Sequence, residues 1–306
     1  MNTLYFINRF PDENACRVHY RDHRIKHGIT CKKCGETNHY WLQSKWQFEC
    51  KACHFRTTLR SGTVMENSNL PFRIWYLAIL FMTATKKGLS ACEMQRQLGY
   101  KRYMTVWTLM HRIRVLMGKR DDLYSLSNMI EFDEGFFEIA VSEKRRKKLK
   151  RGKGSQRQVN VGVMAESVPL EDIETGKESK HCRFFKMKVL DSQKAESINN
   201  LIGNSVTPDS ILFTDQATSY QDFCKYVDIH VVEKSSIQTT SKTLKWAHIA
   251  ISNAKRNFLG VYHKMSSNYL QNYLNEFIYK LNRRFNGDLF ERVIIAAVFP
   301  YWYKSD

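Results

Sequence analysis

A chain of 306 residues, 43% of them hydrophobic and 13% aromatic, is long enough to bury a core and is a folded protein, not a disordered one. Its 48 lysines and arginines exceed its 30 acids and give a net charge of +18, which favours a polyanionic partner, in most cases a nucleic acid. No apolar run is long enough to span a bilayer and the N-terminus lacks a signal-peptide pattern, so we expect a cytoplasmic protein that contacts nucleic acid and no membrane.

Two cysteine pairs follow an N-terminal helical segment, residues 1–27. Cys31 and Cys34 are separated by two residues, as are Cys50 and Cys53, and fifteen residues lie between the pairs. Each short gap lets a turn aim two thiolates at one tetrahedral zinc, and the span between the pairs suits a β-hairpin. The spacing predicts a zinc ribbon over residues 28–60 with one structural Zn²⁺ per chain; coincidental pairing is the alternative. The remaining cysteines are expected in apolar packing, at Cys16, Cys92, Cys182 and Cys224.

Residues 70–120 are predicted to be helical. Apolar positions recur with helical spacing, and glycines such as Gly99 end the individual helices. The last two helices have helix-turn-helix dimensions, with an apolar face on one side and basic residues on the other. We interpret this region as DNA-binding, although a plain three-helix connector explains the same pattern. The basic residues are Lys101, Arg102, Arg112 and Arg114.

From residue 128 to about 290 the periodicity changes to that of short strands followed by helices. This order predicts a mixed α/β sheet, and with the preceding segments a multidomain α+β protein. Residues 291–306 are left as a C-terminal tail. The run KRRKKLKRGK, residues 144–153, is expected to be a mobile loop between the first two strands. Its basic residues are expected to bind DNA phosphates, a solvated loop being the alternative: Arg145, Arg146, Lys147 and Lys148.

Two aspartates indicate an active site. Asp133 lies within the apolar run MIEFDEGFF, and Asp215 directly follows the apolar residues 211–214. An aspartate in a buried strand is costly unless it is paired or ligates a metal. Two such residues on adjacent strands could hold two divalent ions about 4 Å apart, the arrangement for in-line phosphoryl transfer. Either acid alone would be interpreted as a turn residue, and Asp191 has a similar position after its own apolar run.

A third ligand is expected from the helix HIAISNAKR. His248 and Lys255 are seven residues apart, which places them two turns apart on one helix face. His248 would complete the metal site, while Lys255 and the neighbouring Arg256 would contact DNA phosphates. A purely structural histidine is the alternative.

Taken together, these segments resemble the bacterial insertion-sequence transposases that join an N-terminal zinc ribbon to a DDE-type catalytic domain. The resemblance covers nearly the whole chain: CKKCG with CKAC, SACEMQRQLGY with VWTLMHRIR, EFDEGFFE, FTDQATSY and HIAISNAKRNFLGVYHKMSSNYLQNYLNEFIYKLNRRFN. It implies an RNase H-like catalytic domain with two catalytic Mg²⁺ or Mn²⁺ ions, in which Asp133 and Asp215 are the first and second catalytic aspartates. It also implies double-stranded DNA partners, namely terminal inverted repeats and target DNA, and a homo-oligomer of two or more copies on that DNA.

The third catalytic position departs from the commonest family pattern. Many relatives have a glutamate seven residues before the lysine that matches Lys255, and here that position holds His248. Some branches have asparagine as the third residue, and Asn253 is nearby, but it lies about 140° around the helix from His248. Helical geometry therefore favours His248. An imidazole gives the site one negative charge fewer and suits Mn²⁺ better than Mg²⁺, so both the third residue and the metal stay open at this point.

The predicted function is a transposase of the bacterial cytoplasm and nucleoid. It would recognise the terminal repeats of its own insertion sequence, cleave the 3′ ends and join them to target DNA. One alternative is a catalytically inactive or domesticated DNA-binding protein that uses only the ribbon and the helix-turn-helix. Another is an RNase H-like nuclease without strand transfer, which would use the same catalytic residues.

Overall fold

The computed structural model describes residues 1–140, 155–171, 178–192, 194–216, 220, 222–234, 236, 243–263 and 265–300. The chain divides into two compact units, one formed by Met1–Arg120 with Phe285–Asp306 and the other by Asp121–Arg284. The finer domain boundaries expected from the sequence remain predictions. Among the helices in these ranges, none combines the length and the hydropathy that crossing a membrane requires.

The described ranges contain the following regular elements. The helices are α1 (Thr3–Arg9), α2 (Glu13–His27), α3 (Phe72–Ala84), α4 (Ala91–Leu98), α5 (Tyr103–Asp122), α6 (Ala195–Ser205), α7 (Lys245–Val261), α8 (Ser267–Asn282) and α9 (Leu289–Val298). The strands are β1 (His39–Leu42), β2 (Gln47–Cys50), β3 (Arg56–Thr58), β4 (Met129–Glu138), β5 (Gln158–Glu171), β6 (Glu178–Val189), β7 (Ile211–Asp215) and β8 (Ile229–Glu233).

In the first unit, the two ends of the chain share one core. Phe290 of α9 is buried, and its ring centre lies 5.8 Å from that of Phe6, 5.9 Å from that of Phe10 and 5.7 Å from that of Tyr76. Most of α9 falls within residues 291–306, for which the sequence predicts only a C-terminal tail. The difference arises because the apolar face of so short a helix is recognisable only once the N-terminal aromatic residues that cover it are in place.

The four scattered cysteines do not share one environment. Cys16 and Cys182 are buried, as expected for apolar packing, whereas Cys92 and Cys224 are exposed. The expectation of burial is therefore wrong for these last two. Single cysteines carry no periodicity of their own, so their burial depends on which face of an element they occupy.

The connection between α4 and α5 has clear helix-end signals. The Ser90 side chain accepts a hydrogen bond from the backbone N–H of Glu93 and so caps α4. Gly99 ends the helix with φ at 60°, the left-handed conformation that glycine adopts without steric cost. A short turn then leads into α5 at Tyr103, which agrees with the pair of helices predicted for this segment.

The second unit is built on a five-stranded sheet with the order β6-β5-β4-β7-β8. The first three strands in sequence pair antiparallel, and β7 and β8 then run parallel to β4 on its other side. A three-stranded meander followed by two parallel strands is the RNase H-like arrangement. The predicted fold class, a multidomain α+β protein with an RNase H-like mixed sheet, is thereby confirmed.

Helices cover both faces of this sheet. One face buries Val161 and Val163 of β5 against α7 and α8, and the other buries Ile130 and Phe132 of β4 against α6. The alternation of side chains along each strand distributes them between these two cores. The candidate site lies on the face covered by α7. Asp133 is an even number of residues from Phe137, which packs against this helix, so both side chains lie on the same face of β4.

Candidate functional site

Asp133 and Asp215 occupy neighbouring positions on two parallel strands. The pairing of β4 with β7 sets Met129 beside Ile211 and Glu131 beside Phe213. The pairing ends there, and Asp133 and Asp215 are each two residues further along their strands, on adjacent strands of the sheet. Two residues that are 82 positions apart in the sequence thus lie on adjacent strands, and the negative charge of Asp215 contributes to the raised pKa of Asp133.

Asp133 is largely buried and has two other carboxylates, Asp215 and Glu134, close enough to affect its pKa. Its side chain is 16% exposed, and its Oδ1 accepts a 2.8 Å hydrogen bond from the backbone N–H of Glu134. Burial raises the pKa of Asp133, helped by the negative charges of Asp215 and Glu134 and opposed by His248 and the Glu134 amide. A group with this environment and a second carboxylate at its side is suited to bind a divalent cation.

Helix α7 carries the candidate third ligand. His248 Nδ1 lies 3.6 Å from Asp133 Oδ2. Asn253 is exposed, and its Oδ1 accepts a 3.5 Å hydrogen bond from Arg256 of the same helix. The ammonium of Lys255 lies 5.8 Å from the centre of the Phe137 ring, four residues further along β4 than Asp133. Among the described candidates on α7, His248 contacts Asp133.

Two further groups beside the aspartates were not recognised in the sequence. Glu233 ends β8 in register with Asp215, and its Oε2 accepts a 2.6 Å hydrogen bond from Thr243 Oγ1. Tyr220 is buried, and its pKa is raised by burial first and then by Glu134, Asp215 and Asp133. Glu233 could have been predicted from the sequence, because like Asp215 it is an acidic residue at the end of an apolar strand. No local sequence pattern distinguishes Tyr220.

The four paired cysteines form a compact cluster in the first unit. Cys31 Sγ lies 3.6 Å from Cys53 Sγ, Cys34 Sγ lies 3.5 Å from Cys50 Sγ, and all four sulfurs lie within 4.8 Å of one another. Four sulfurs around a tetrahedral zinc, with Zn–S bonds of about 2.3 Å, are about 3.8 Å apart. The cluster therefore has the size that a metal ion of this kind requires.

The backbone on both sides of the cluster explains its shape. The residue after each pair is left-handed, Gly35 with φ at 78° and His54 with φ at 56°. Their N–H groups donate to the carbonyls of Cys31 and Cys50, at 2.9 and 3.0 Å. The two pairs thus sit on matching turns, and the antiparallel strands β1, β2 and β3 hold these turns together.

A second group of possible ligands, His19, His23 and Glu291, is already hydrogen-bonded. Glu291 Oε1 lies 3.2 Å from His19 Nε2 and 2.6 Å from His23 Nε2. Arg9 donates to Glu291 Oε2 at 3.3 Å and lies 2.9 Å from His19 Nε2. A guanidinium at the same atoms repels a cation, so we interpret this group as an ion-pair network that ties α1, α2 and α9.

The basic residues predicted to bind DNA differ in accessibility. Lys101, Arg102 and Arg256 are exposed, whereas Arg112 is partly buried and donates to the Glu66 carbonyl at 2.8 Å. Arg114 is only 1% exposed, which corrects its assignment as a DNA-contacting residue. The apolar side of α5 is wide enough to include it, and helical spacing alone could not show this.

The basic run 144–153, with Arg145, Arg146, Lys147 and Lys148, lies outside the described residues.

Comparison with known proteins gives one family match. Residues 125–282 match the model of the ISXO2-like transposase domain, a range that contains Asp133, Asp215, His248 and Lys255. No curated protein matches the chain. A solved structure described as a pre-cleavage Mos1 transpososome is 10% identical and covers 74% of this chain and 75% of its own, with a TM-score of 0.28. A TM-score this low does not show that the two folds are alike, and the family assignment rests on the match of residues 125–282.

Proposed function

The chain belongs to the family of ISXO2-like transposase domains, and we propose that it is the active transposase of a bacterial insertion sequence. In this proposal it binds the terminal inverted repeats of its element, cleaves the 3′ ends and joins them to target DNA. The observation that carries the proposal is the placement of Asp133 and Asp215 on the adjacent parallel strands β4 and β7, with His248 Nδ1 3.6 Å from Asp133 Oδ2.

The donor set of this pair fits a pair of divalent cations. Carboxylate oxygens suit Mg²⁺ and Mn²⁺, and a neutral imidazole suits Mn²⁺ better. Two such ions, bound by Asp133, Asp215 and His248, would supply activation of the attacking water or 3′-hydroxyl and stabilise the leaving oxygen. Lys255, two helical turns from His248, would hold a DNA phosphate, and positioning by the chain itself would supply much of the rate.

The N-terminal half, together with α7, would hold the DNA. We propose that Cys31, Cys34, Cys50 and Cys53 bind one structural Zn²⁺ per chain, because four thiolates close the tetrahedron and leave no open position. Lys101 and Arg102, exposed just before α5, and Arg256 on α7 would contact phosphates.

Acting on two ends of an element requires at least two copies of the chain on the DNA. The mass of the complex with a terminal-repeat duplex should therefore show two or more chains, and one chain per complex would contradict this part of the proposal. The protein would act in the cytoplasm, on the nucleoid.

The function is tested with a strand-transfer assay. DNA carrying the element's own terminal repeats is incubated with the protein in Mg²⁺ or Mn²⁺, and cleaved and joined products are separated. Asp133→Asn and Asp215→Asn preserve side-chain volume but remove a charge that the cations need, so both variants should lose cleavage and joining while still binding the repeats. Asp191→Asn, at an exposed strand end, is the matched control and should act as the wild type.

Each alternative predicts a different outcome in the same assay. A wild-type protein that binds the repeats but does not cut them would support the non-catalytic DNA-binding protein. Cleavage without joining would support a nuclease. Near-normal cleavage by either aspartate variant would show that the active site lies elsewhere.

A further inference from the structure

A buried carboxylate caps the helix that carries His248. Glu131 of β4 is fully buried, and its Oε2 accepts hydrogen bonds from the backbone N–H of Trp246 at 2.7 Å and of Ala247 at 3.1 Å. These are first-turn amides of α7, which have no partner within a helix. The capping oxygen therefore comes from a strand more than a hundred residues earlier in the sequence.

Within the described part of the chain, residues 243–261, the start of α7 supplies no cap of its own. Leu244 stands at its N-cap position and provides no side-chain hydrogen bond, and the first turn contains no acidic residue. A carboxylate at this end also interacts favourably with the positive end of the helix dipole. Glu131 thus provides both the hydrogen-bond acceptor and the negative charge that the start of α7 lacks.

The cap stands next to the candidate active site on both elements. Glu131 precedes Asp133 by two residues and lies on the same face of β4, while Ala247 directly precedes His248 on α7. Glu131, which caps the helix, and Asp133, which His248 contacts, are therefore successive residues on one face of β4.

A second contact holds the next turn of α7 against the same strand. A Cβ placed on Gly135 would lie 3.3 Å from Ile251 Cγ1, so the helix approaches β4 as closely as a glycine allows. Glu131 and Gly135 therefore fix α7 on either side of Asp133. His248 lies between the residues that make these two contacts, Ala247 and Ile251.

From this geometry we infer that Glu131 is a positioning residue: it holds the first turn of α7 so that the His248 imidazole stays beside Asp133. The inference rests on the proposed function and adds to it a residue that acts through His248 without touching DNA or metal.

The first test measures position and needs no activity. Hydrogen exchange of the α7 amides is compared between the wild type, Glu131→Gln and Glu131→Asp. The glutamine lacks the charge, and the aspartate is one methylene shorter, so exchange should speed up at Trp246, Ala247 and His248 in both variants. Glu166→Gln is the control, because Glu166 is equally buried, on β5, but binds Tyr124 and Ser127 instead of α7.

The second test measures activity in two backgrounds. Glu131→Gln should slow Mn²⁺-dependent cleavage by about 10- to 100-fold, as for residues that support a ligand, with repeat binding unchanged. In a His248→Ala background it should add little, because neighbours that act through one group are not additive. Glu166→Gln should not slow cleavage comparably.

Unchanged exchange at the start of α7 in both Glu131 variants would overturn the inference, whatever the activity. Multiplicative losses with His248→Ala, or an equal loss in Glu166→Gln, would also overturn it and leave Glu131 a general stabiliser. Altered exchange in a protein that never cleaves DNA would instead contradict the proposed function while keeping the capping role.

Discussion

His248 stands where many of the transposases that this sequence resembles have a glutamate. If its imidazole is the third ligand, His248→Ala should slow cleavage by at least about 100-fold, beyond the usual loss for residues that only support a ligand. His248→Glu should recover part of the activity and shift the preference from Mn²⁺ towards Mg²⁺, because a hard oxygen replaces nitrogen. Cleavage rates in both metals measure this.

Asn253 provides the comparison on the same helix. It is exposed and bonded to Arg256, so Asn253→Ala should change cleavage little. A larger loss in Asn253→Ala than in His248→Ala would give the third catalytic role to the asparagine.

His111 on α5 is expected to make the stability of the first unit depend on pH. Burial, and then the charge of Arg114, lowers the pKa of His111 to about 3 in the folded chain, against about 6.5 when unfolded. Between these values only the unfolded chain binds the proton, so stability is complete above pH 6.5 and should fall by about 1.4 kcal/mol per pH unit below it. Urea unfolding at pH 7 and pH 5 measures the slope.

A glutamine at this position cannot gain the charge. His111→Gln should therefore flatten the pH dependence of unfolding, although it lowers stability at neutral pH. His181→Gln, which changes an exposed histidine, is the control and should keep the wild-type slope. An unchanged slope in His111→Gln would show that other groups cause the acid sensitivity.

At the scale of elements, the ribbon is expected to depend on its metal. Metal analysis of the purified protein should find one zinc per chain, and a strong chelator should unfold β1, β2 and β3, because a three-stranded sheet of this size has little core of its own. Cys31→Ser with Cys50→Ser should lose the zinc. The matched control is Cys92→Ser with Cys224→Ser, two exposed cysteines outside the cluster, and it should keep it.

Full zinc occupancy in the Cys31 and Cys50 double variant would show that the metal binds elsewhere.

The cysteine spacing alone predicted this cluster, because the ligands of each pair lie on one tight turn. Their sulfurs are then close for local reasons, and only the meeting of the two turns depends on the fold.

For the whole molecule, the net charge of +18 predicts binding to DNA that weakens steeply with salt. Eight of the ten residues from 144 to 153 are basic. Changing four of them to glutamine, Arg145, Arg146, Lys147 and Lys148, should weaken binding to any duplex. It should also lower the slope of log K against log salt by about 0.9 for each lost phosphate contact.

A control variant that loses the same number of positive charges elsewhere distinguishes the effect of direct phosphate contacts from the effect of net charge on DNA binding. Four exposed basic residues serve as the control set: Lys194, Lys225, Lys234 and Arg284. Their change to glutamine should alter the slope less. Equal slopes in the wild type and the first variant would mean that residues 145–148 do not contact DNA.

Local patterns in the sequence determined most of the elements and several of the site residues. Strand and helix periodicities depend on neighbouring residues, and so do the turns of the cysteine pairs and the positions of Asp133 within one apolar strand and of Asp215 at the end of another. These features could therefore be predicted before any tertiary contact was known. The resemblance to a known family added the prediction that Asp133 and Asp215 are the first and second catalytic aspartates of one site.

Only the tertiary structure decided the features that join distant parts of the chain. The pairing of β4 with β7 puts Asp133 and Asp215 on adjacent strands, and Glu131 reaches across more than a hundred residues to cap α7. Burial of Arg114 and of Phe290 in α9 likewise depends on which surfaces meet. A periodic pattern shows which side of an element is apolar, but the partner that covers this side is chosen by the packing of the whole unit, because burial is a property of contacts and not of sequence neighbours.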